Sequence, residues 1–214
     1  MRRTITFLLL CMGLASSTAR TAPPQEVIDR IVALVEGDII TLSEMRELGR
    51  FQKLVEGSAA SDSRLLTQLI EQWIVNSEAT AAGFPRPAES EVNRALESLE
   101  KQVATSGGFR DRLGELGLSA TALRRLVEQQ LYLARYLDYK FRPVAQVDRH
   151  AIETYYREQF VPPLVARGQA APPLETMQDQ IRELLIQREI TERAARWLEE
   201  AKSRLKIETR GGGA

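Results

Sequence analysis

The chain has 214 residues, and its 29 basic side chains (Lys and Arg) balance its 29 acidic side chains (Asp and Glu). This balance argues against a nucleic-acid-binding protein, because such proteins usually carry an excess of basic residues. One cysteine and one histidine are too few for a metal site built from those ligands. We therefore expect no metal, no other cofactor and no nucleic acid among the partners.

The first 19 residues have the pattern of a secretory signal peptide. Arg2 and Arg3 precede an apolar run from Ile5 to Ala15, and small residues follow up to Ala19. The run is shorter than the ~20 apolar residues needed to cross a bilayer. We expect cleavage near residue 19, loss of Cys11 with the signal, and no stable membrane span in the mature chain.

Residues 30–41 predict a short β-hairpin. Ile31 to Val35 are apolar, Glu36-Gly37-Asp38 has the composition of a tight turn, and Ile39-Ile40-Thr41 resumes the strand pattern. Both faces of these strands are apolar, so other elements must cover both sides. Thr41 and Glu44 have the spacing of a capping box, which predicts that a helix begins directly after the hairpin.

Apolar residues at three- and four-residue spacing predict a series of helices in the rest of the chain. The predicted helices cover residues 42–55, 62–82, 88–105, 109–116, 120–141, 149–160 and 174–204. Ser119 and Asp148 are predicted caps for two of them. Four prolines and a glycine lie within residues 161–173, and we expect neither flanking helix to run through this segment.

The segment Leu205-Lys206-Ile207-Glu208 alternates apolar and charged residues, which predicts a terminal strand. Because a lone strand is unstable and a two-stranded hairpin is marginal, we expect this strand to pair with the N-terminal hairpin. The predicted fold is therefore mostly α-helical, with a small sheet that joins the two ends of the chain. Residues 209–214 are predicted to be a disordered tail.

Five segments carry a family resemblance, in the order VIDRIVALVEGDIITLSEM, LLTQLIEQWIVNSEATAAGF, PAESEVNRALESLEKQ, FRDRLGELGLSATALRRLVEQQLYLARYL and QIRELLIQREITERAARWLEEAKSRLKIE. The ordered set resembles the N-terminal module of the SurA-type periplasmic chaperones, and it covers nearly the whole mature chain. The resemblance implies a helical core at residues 20–160, completed by a long helix and strand at residues 174–208. It also implies a periplasmic location.

The usual chain of that family carries one or two parvulin prolyl-isomerase domains after the helix that ends here near Phe160. Each such domain has about a hundred residues, whereas this chain has only the proline-rich residues 161–173 at the expected insertion point. The resemblance therefore implies a chaperone module without the catalytic domain, and we expect the chain not to be an enzyme. Its implied function is ATP-independent holding of unfolded envelope or outer-membrane proteins.

Two alternatives remain at this stage. The same fold could serve as a dedicated assembly subunit that binds one partner in an export or cell-surface system, and breadth of binding would separate the two functions. A prolyl isomerase is the other alternative, against which the missing parvulin residues argue. The terminal strand or helix could also be exchanged between two chains to give a homodimer.

Two sets of side chains are candidates for function. Tyr132, Tyr136 and Tyr139 lie on one face of a predicted helix and could form an aromatic surface that grips extended peptide. The simpler interpretation is that they pack under the C-terminal helix. His150 is the only histidine, and its neighbour Asp148 is better explained as a helix cap than as a catalytic partner. We therefore predict no catalytic residue.

Overall fold

The structure is a computed structural model that describes residues 29–103 and 108–210. The predicted signal peptide at residues 1–19 and the last four residues of the predicted tail lie outside the described residues. The first two residues of that predicted tail are ordered, since Thr209 lies in a strand and the Arg210 N–H donates to the Val32 carbonyl oxygen at 2.9 Å. Within the described part of the chain the protein is mostly helical with one small sheet. The predicted fold class is therefore confirmed.

The sheet contains strands from both ends of the chain. Strands β1 (Ile31–Val35) and β2 (Asp38–Thr41) form a hairpin, and β3 (Ile207–Thr209) pairs antiparallel with the other edge of β1, giving the order β2-β1-β3. The turn residues Glu36 and Gly37 have φ values of 51° and 94°. Two positive φ values in a two-residue loop are the signature of a type I′ turn, whose twist matches that of the strands.

Eight α-helices lie between β2 and β3 in the described residues: α1 (Leu42–Glu56), α2 (Asp62–Ala81), α3 (Glu89–Val103), α4 (Phe109–Leu116), α5 (Ala120–Phe141), α6 (Arg149–Tyr155), α7 (Val161–Ala166) and α8 (Leu174–Arg204). A 3₁₀ turn (Arg142–Val144) follows α5. The order and most boundaries agree with the predicted helices. The three predicted caps are also present, since the Thr41, Ser119 and Asp148 side chains each accept a backbone N–H from the first turn of α1, α5 and α6.

The helix that begins at Arg149 does not end at Phe160, so that boundary was predicted wrongly. It passes from α6 into a π-helical turn (Tyr156–Phe160) and then into α7. The prolines Pro162 and Pro163 stand in the first turn of α7. A proline is tolerated there because its missing N–H needs no partner within the helix that it begins. The use of residues 161–173 as a domain linker stays a prediction.

In the described residues the core has four parts, the smallest of which joins α1 to α2 through Met45, Leu48 and Leu65. Of the other three, the first joins the sheet to α2 and α8, and it contains the fully buried Val35 together with Ile74. The second joins α2 to α5 around Tyr132 and Tyr136. The third joins α1, α3, α4 and the first half of α5, and it includes Leu54 and Leu126. Helices α2 and α5 therefore form the frame to which the other elements attach.

Helix α8 returns the chain from the far end of α5 to the sheet. It has 31 residues, which gives a length of about 46 Å at ~1.5 Å per residue. Trp197 in its second half packs on both the sheet core and the α2–α5 core. None of the helices in the described residues is both long enough and apolar enough to span a membrane.

Candidate functional site

The three candidate tyrosines on α5 have different environments. Tyr132 and Tyr136 are buried, with 1% and 3% of their surface exposed, whereas Tyr139 is 65% exposed. All three rings surround Phe84, at centroid distances of 5.8, 5.5 and 5.2 Å. The structure therefore places these residues together, but it makes two of them core side chains.

Local contacts fix the two buried tyrosines. The Tyr132 hydroxyl donates to the Phe84 carbonyl oxygen at 3.2 Å, and the Arg86 guanidinium lies 4.2 Å from the centre of the Tyr132 ring. Buried tyrosines commonly satisfy their hydroxyl in this way. A surface for binding peptide cannot use Tyr132 or Tyr136 while they are buried, so this part of the predicted surface is corrected to core packing. The role of Tyr139 in binding stays a prediction.

A groove that the sequence did not indicate lies between α1, α2 and α5, where Leu198 of α8 also reaches it. We call it the glutamine groove, and its volume is about 390 Å³. Its polar lining consists of four glutamines and two glutamates, Gln52, Gln68, Gln72, Gln130, Glu56 and Glu71. Its apolar lining consists of Leu48, Phe51, Val75, Leu133, Ala134, Leu137 and Leu198.

Side-chain amides give this groove its chemistry. The Gln52 amide nitrogen donates to the Gln68 oxygen at 2.7 Å, and the Gln52 oxygen accepts the Ala60 N–H at 3.0 Å. A glutamine has two N–H donors and an oxygen that accepts twice, so these bonds leave further capacity on both residues. A lining of apolar groups and neutral amides, with the carboxylates of Glu56 and Glu71 beside them, can contact both the side chains and the main chain of a peptide.

A second cleft, which we call the edge cleft, adjoins the glutamine groove at Gln72, which lines both. Its volume is about 330 Å³, and it is bordered by Ile39 and Ile40 of β2, by Leu69 and Trp73 of α2, and by α5. The Gln129 amide on α5 donates to the Gln72 oxygen at 3.4 Å. The two clefts together follow the contact between α2 and α5.

Ion pairs hold α8 against this frame. Arg142 donates two hydrogen bonds to Glu183 of α8, at 3.0 and 2.7 Å, and its Nε donates to Asp138 at 2.9 Å. These bonds from Arg142 lower the pKa of Glu183 to about 2, and they also lower that of Asp138. Helix α8 is therefore fastened to the end of α5 by charged hydrogen bonds.

Lys202 makes a second attachment, between α8 and α2. Its ammonium donates to Glu71, a residue that lines the glutamine groove, at 3.0 Å. Partial burial lowers the pKa of Lys202, but hydrogen bonds to Glu199 and Glu71 outweigh it and leave the pKa above its ordinary value. The ammonium is thus held charged at one side of the groove.

No catalytic arrangement is visible in residues 29–103 and 108–210. His150 is exposed, and Asp148 accepts the Ala151 N–H at 2.7 Å, as expected of a cap. That part of the chain also contains no group of three or more His, Cys, Asp or Glu side chains that could hold a metal ion. The two adjoining clefts are concave surfaces of the described residues that border both α2 and α5.

Comparison with known proteins places this chain in a family. The chain is 30% identical over 154 residues to a protein named Chaperone SurA from Ralstonia nicotianae, a match that covers 67% of this chain and 30% of the relative. It is also 30% identical over 146 residues to Chaperone SurA from Chromobacterium violaceum, covering 64% of this chain and 34% of the relative. These matches cover about two thirds of the chain and show that it belongs to the SurA-type family.

The chain spans about a third of the length of the curated relatives that it matches. No protein-family model matches the sequence. Among solved structures it is similar to a SurA-like chaperone of Campylobacter jejuni, with a TM-score of 0.49 and 11% sequence identity over 85% of this chain and 100% of that one.

Proposed function

We propose that the protein is an ATP-independent chaperone of the periplasm that holds unfolded or partly folded envelope proteins, including outer-membrane proteins. Two relatives that match two thirds of the chain are named Chaperone SurA, which supports a chaperone role. The observation that carries the proposal is the glutamine groove, because its lining suits unfolded polypeptide rather than one small molecule. Reversible shielding of apolar segments would lower the concentration of chain that is free to aggregate.

The groove supports broad rather than selective binding. Its leucines and Phe51 can cover apolar side chains of many shapes, and its glutamines can pair with main-chain groups, which every peptide has. Promiscuous binders use adaptable surfaces of this kind in place of a rigid pocket. Client proteins of the outer membrane alternate apolar and polar residues along their strands, so alternate side chains would meet the apolar wall.

We further propose that the chain has no prolyl-isomerase activity. Only residues 167–173 separate α7 from α8, which supports the absence of a catalytic domain at that point. A proline-peptide isomerisation assay tests this directly. We expect a rate equal to that of the uncatalysed reaction, and clear acceleration would contradict the proposal.

Light scattering tests the holding function. An unfolded outer-membrane β-barrel protein is diluted from denaturant with and without the purified chain from residue 20 onward, and an inert protein serves as the control. We expect near-stoichiometric amounts to suppress aggregation of this client and of an unrelated unfolded protein. Suppression of one client alone would favour a dedicated assembly subunit, and unchanged scattering for both would exclude a general holdase.

A further inference from the structure

We propose that the outer edge of β2 binds an extended, uncharged polypeptide segment by strand addition. The inference deepens the proposed function, on which it rests for the class of ligand, and it adds a binding mode distinct from contact with the glutamine groove. Peptides are known to join exposed sheet edges through main-chain hydrogen bonds while pockets beside the edge receive alternate side chains. The structure provides both the edge and the pocket.

The hydrogen bonds of the sheet show which way the backbone of Ile39 points. The N–H of Glu36 donates to the carbonyl oxygen of Lys206 at 3.0 Å, and the carbonyl oxygen of Val32 accepts the N–H of Arg210 at 2.9 Å. The backbone groups of residues 32 and 36 therefore point from β1 toward β3. Because backbone direction alternates along a strand, the N–H and C=O of Leu34 face β3 as well. Leu34 stands opposite Ile39 in the hairpin.

Ile39 therefore occupies a non-hydrogen-bonded position of the hairpin, where the N–H and C=O point away from β1. Its position next to the Val35–Asp38 pair that closes the two-residue turn agrees with this assignment. Among residues 29–103 and 108–210 no strand pairs with this outer side of β2. The edge offers one outward donor and one outward acceptor at Ile39.

The edge cleft lies where an added strand would run. Neighbouring residues of a strand point to opposite faces, yet Ile39 and Ile40 both border this cleft. A space that touches both must lie along the strand's edge, and the inner edge is occupied by β1. The Ile39 side chain is 53% exposed, and Trp73 fixes the start of β2 by donating from its indole nitrogen to Asp38 at 2.9 Å.

The balance of charged side chains around the edge cleft favours an uncharged peptide segment. Two acidic and two basic side chains line it, Glu44, Glu128, Arg86 and Arg125, so their charges cancel. Glu44 is bound in the capping box of α1 and Arg125 is paired with Glu47. Leu69 and Trp73 provide the apolar part of the wall, which suits a segment that alternates apolar and small polar residues. A longer segment could continue into the adjoining glutamine groove at Gln72.

Amide hydrogen exchange, resolved by NMR, tests the proposal on the unaltered protein. The probe is a soluble peptide of alternating threonine and valine, flanked by glycine and serine. We expect saturating peptide to slow exchange of the Ile39 amide, which becomes hydrogen-bonded, while the amide of Arg182, on α8 and outside both clefts, is unaffected. Unchanged exchange at Ile39 with bound peptide, or no binding up to the solubility limit, would overturn strand addition.

A pair of variants gives a second readout. Ile39→Pro removes the outward N–H without removing a bond to β1, and proline is accepted on edge strands. Ile39→Thr keeps the N–H and is the matched control. We expect the peptide to bind Ile39→Pro roughly tenfold more weakly than Ile39→Thr, as for loss of one to two hydrogen bonds. Equal affinities of two folded variants would contradict the proposal.

The two proposals can fail separately. If the protein suppresses client aggregation but the peptide leaves Ile39 exchange unchanged, strand addition is wrong and the holding function stands. If the peptide protects Ile39 but aggregation of every client is unchanged, the edge binds peptide and the holding function is wrong.

Discussion

Tyr136 and Tyr139 lie three residues apart on α5 and have opposite environments, since 3% of Tyr136 and 65% of Tyr139 is exposed. We predict that Tyr136→Ala lowers the free energy of unfolding by about 3–5 kcal/mol, because it leaves a cavity beside Phe84. Tyr139→Ala, the matched control, should change it by less than ~0.5 kcal/mol. Urea unfolding measures both, and similar losses would contradict the assigned burial.

The tyrosines also show that a helical pattern predicts which residues share a face of the helix but not whether each of them is buried. Their spacing places them on one face of a helix, but it does not say what lies against that face. Phe84, which fills the space between their rings, stands in the loop between α2 and α3, and loop residues have no periodicity. The helix caps could be predicted correctly because a capping hydrogen bond joins residues only three positions apart in the chain.

The groove glutamines were not predicted, for a related reason. Gln52 is buried and Gln68 is partly buried, whereas a glutamine in a helical pattern is ordinarily taken to face solvent. Gln52 and Gln68 are bonded to each other although they are 16 residues apart in the chain. A polar residue within an otherwise apolar stripe is the signal that could have indicated them.

At the scale of elements, the Arg142 bonds predict how acid weakens the attachment of α8. Glu183 has its pKa lowered from an ordinary 4.5 to about 2 by hydrogen bonds from Arg142. A carboxyl group whose folded pKa is lowered contributes stability that is present above about pH 4.5 and is lost as the pH falls toward about 2. We predict that the thermal midpoint of the wild-type protein falls more across this interval than that of Glu183→Gln.

The matched control for this prediction is Glu192→Gln. Glu192 is an exposed residue of the same helix whose contact is with Arg196, one turn away at 3.8 Å, so its replacement leaves the attachment to α5 intact. The control should keep the wild-type pH dependence. A Glu183→Gln protein with an unchanged pH dependence would show that the Arg142 bonds do not stabilise the fold.

The continuation of α6 into α7 shows that the effect of a proline on a helix depends on where in the helix the proline stands. Prolines inside a helix remove a hydrogen bond and clash with the preceding turn, which led to a predicted stop at Phe160. The π-helical turn Tyr156–Phe160 changes the pairing just before Pro162 and Pro163, so the prolines enter at the start of a new helical turn. π-Helical turns have no strong sequence signature, and this continuation could not be predicted.

At the scale of the whole molecule, the joining of the two ends was predictable. A hairpin and a single strand are each too small to be stable alone, and the chain contains no further strand pattern with which they could pair. The observed order β2-β1-β3 follows, with Val35 fully buried at the centre. The clefts were not predictable, because they arise from the crossing of α2 and α5. Exchange of α8 or β3 between two copies to form a homodimer stays a prediction.

The central claim is that the glutamine groove holds unfolded chain, and blocking the groove tests it most directly. Ala134 lines the groove and is exposed, so Ala134→Arg places a long charged side chain there without disturbing the core. Ala195→Arg puts the same side chain on an exposed position of α8 outside both clefts. Both variants are compared with the wild type in the scattering assay with the outer-membrane client.

We predict that the Ala195→Arg protein suppresses aggregation as well as the wild type does, and that the Ala134→Arg protein needs several-fold more chaperone for the same effect. Circular dichroism and the thermal midpoint verify that both variants are folded. Equal suppression by all three proteins would contradict a holding role for the groove.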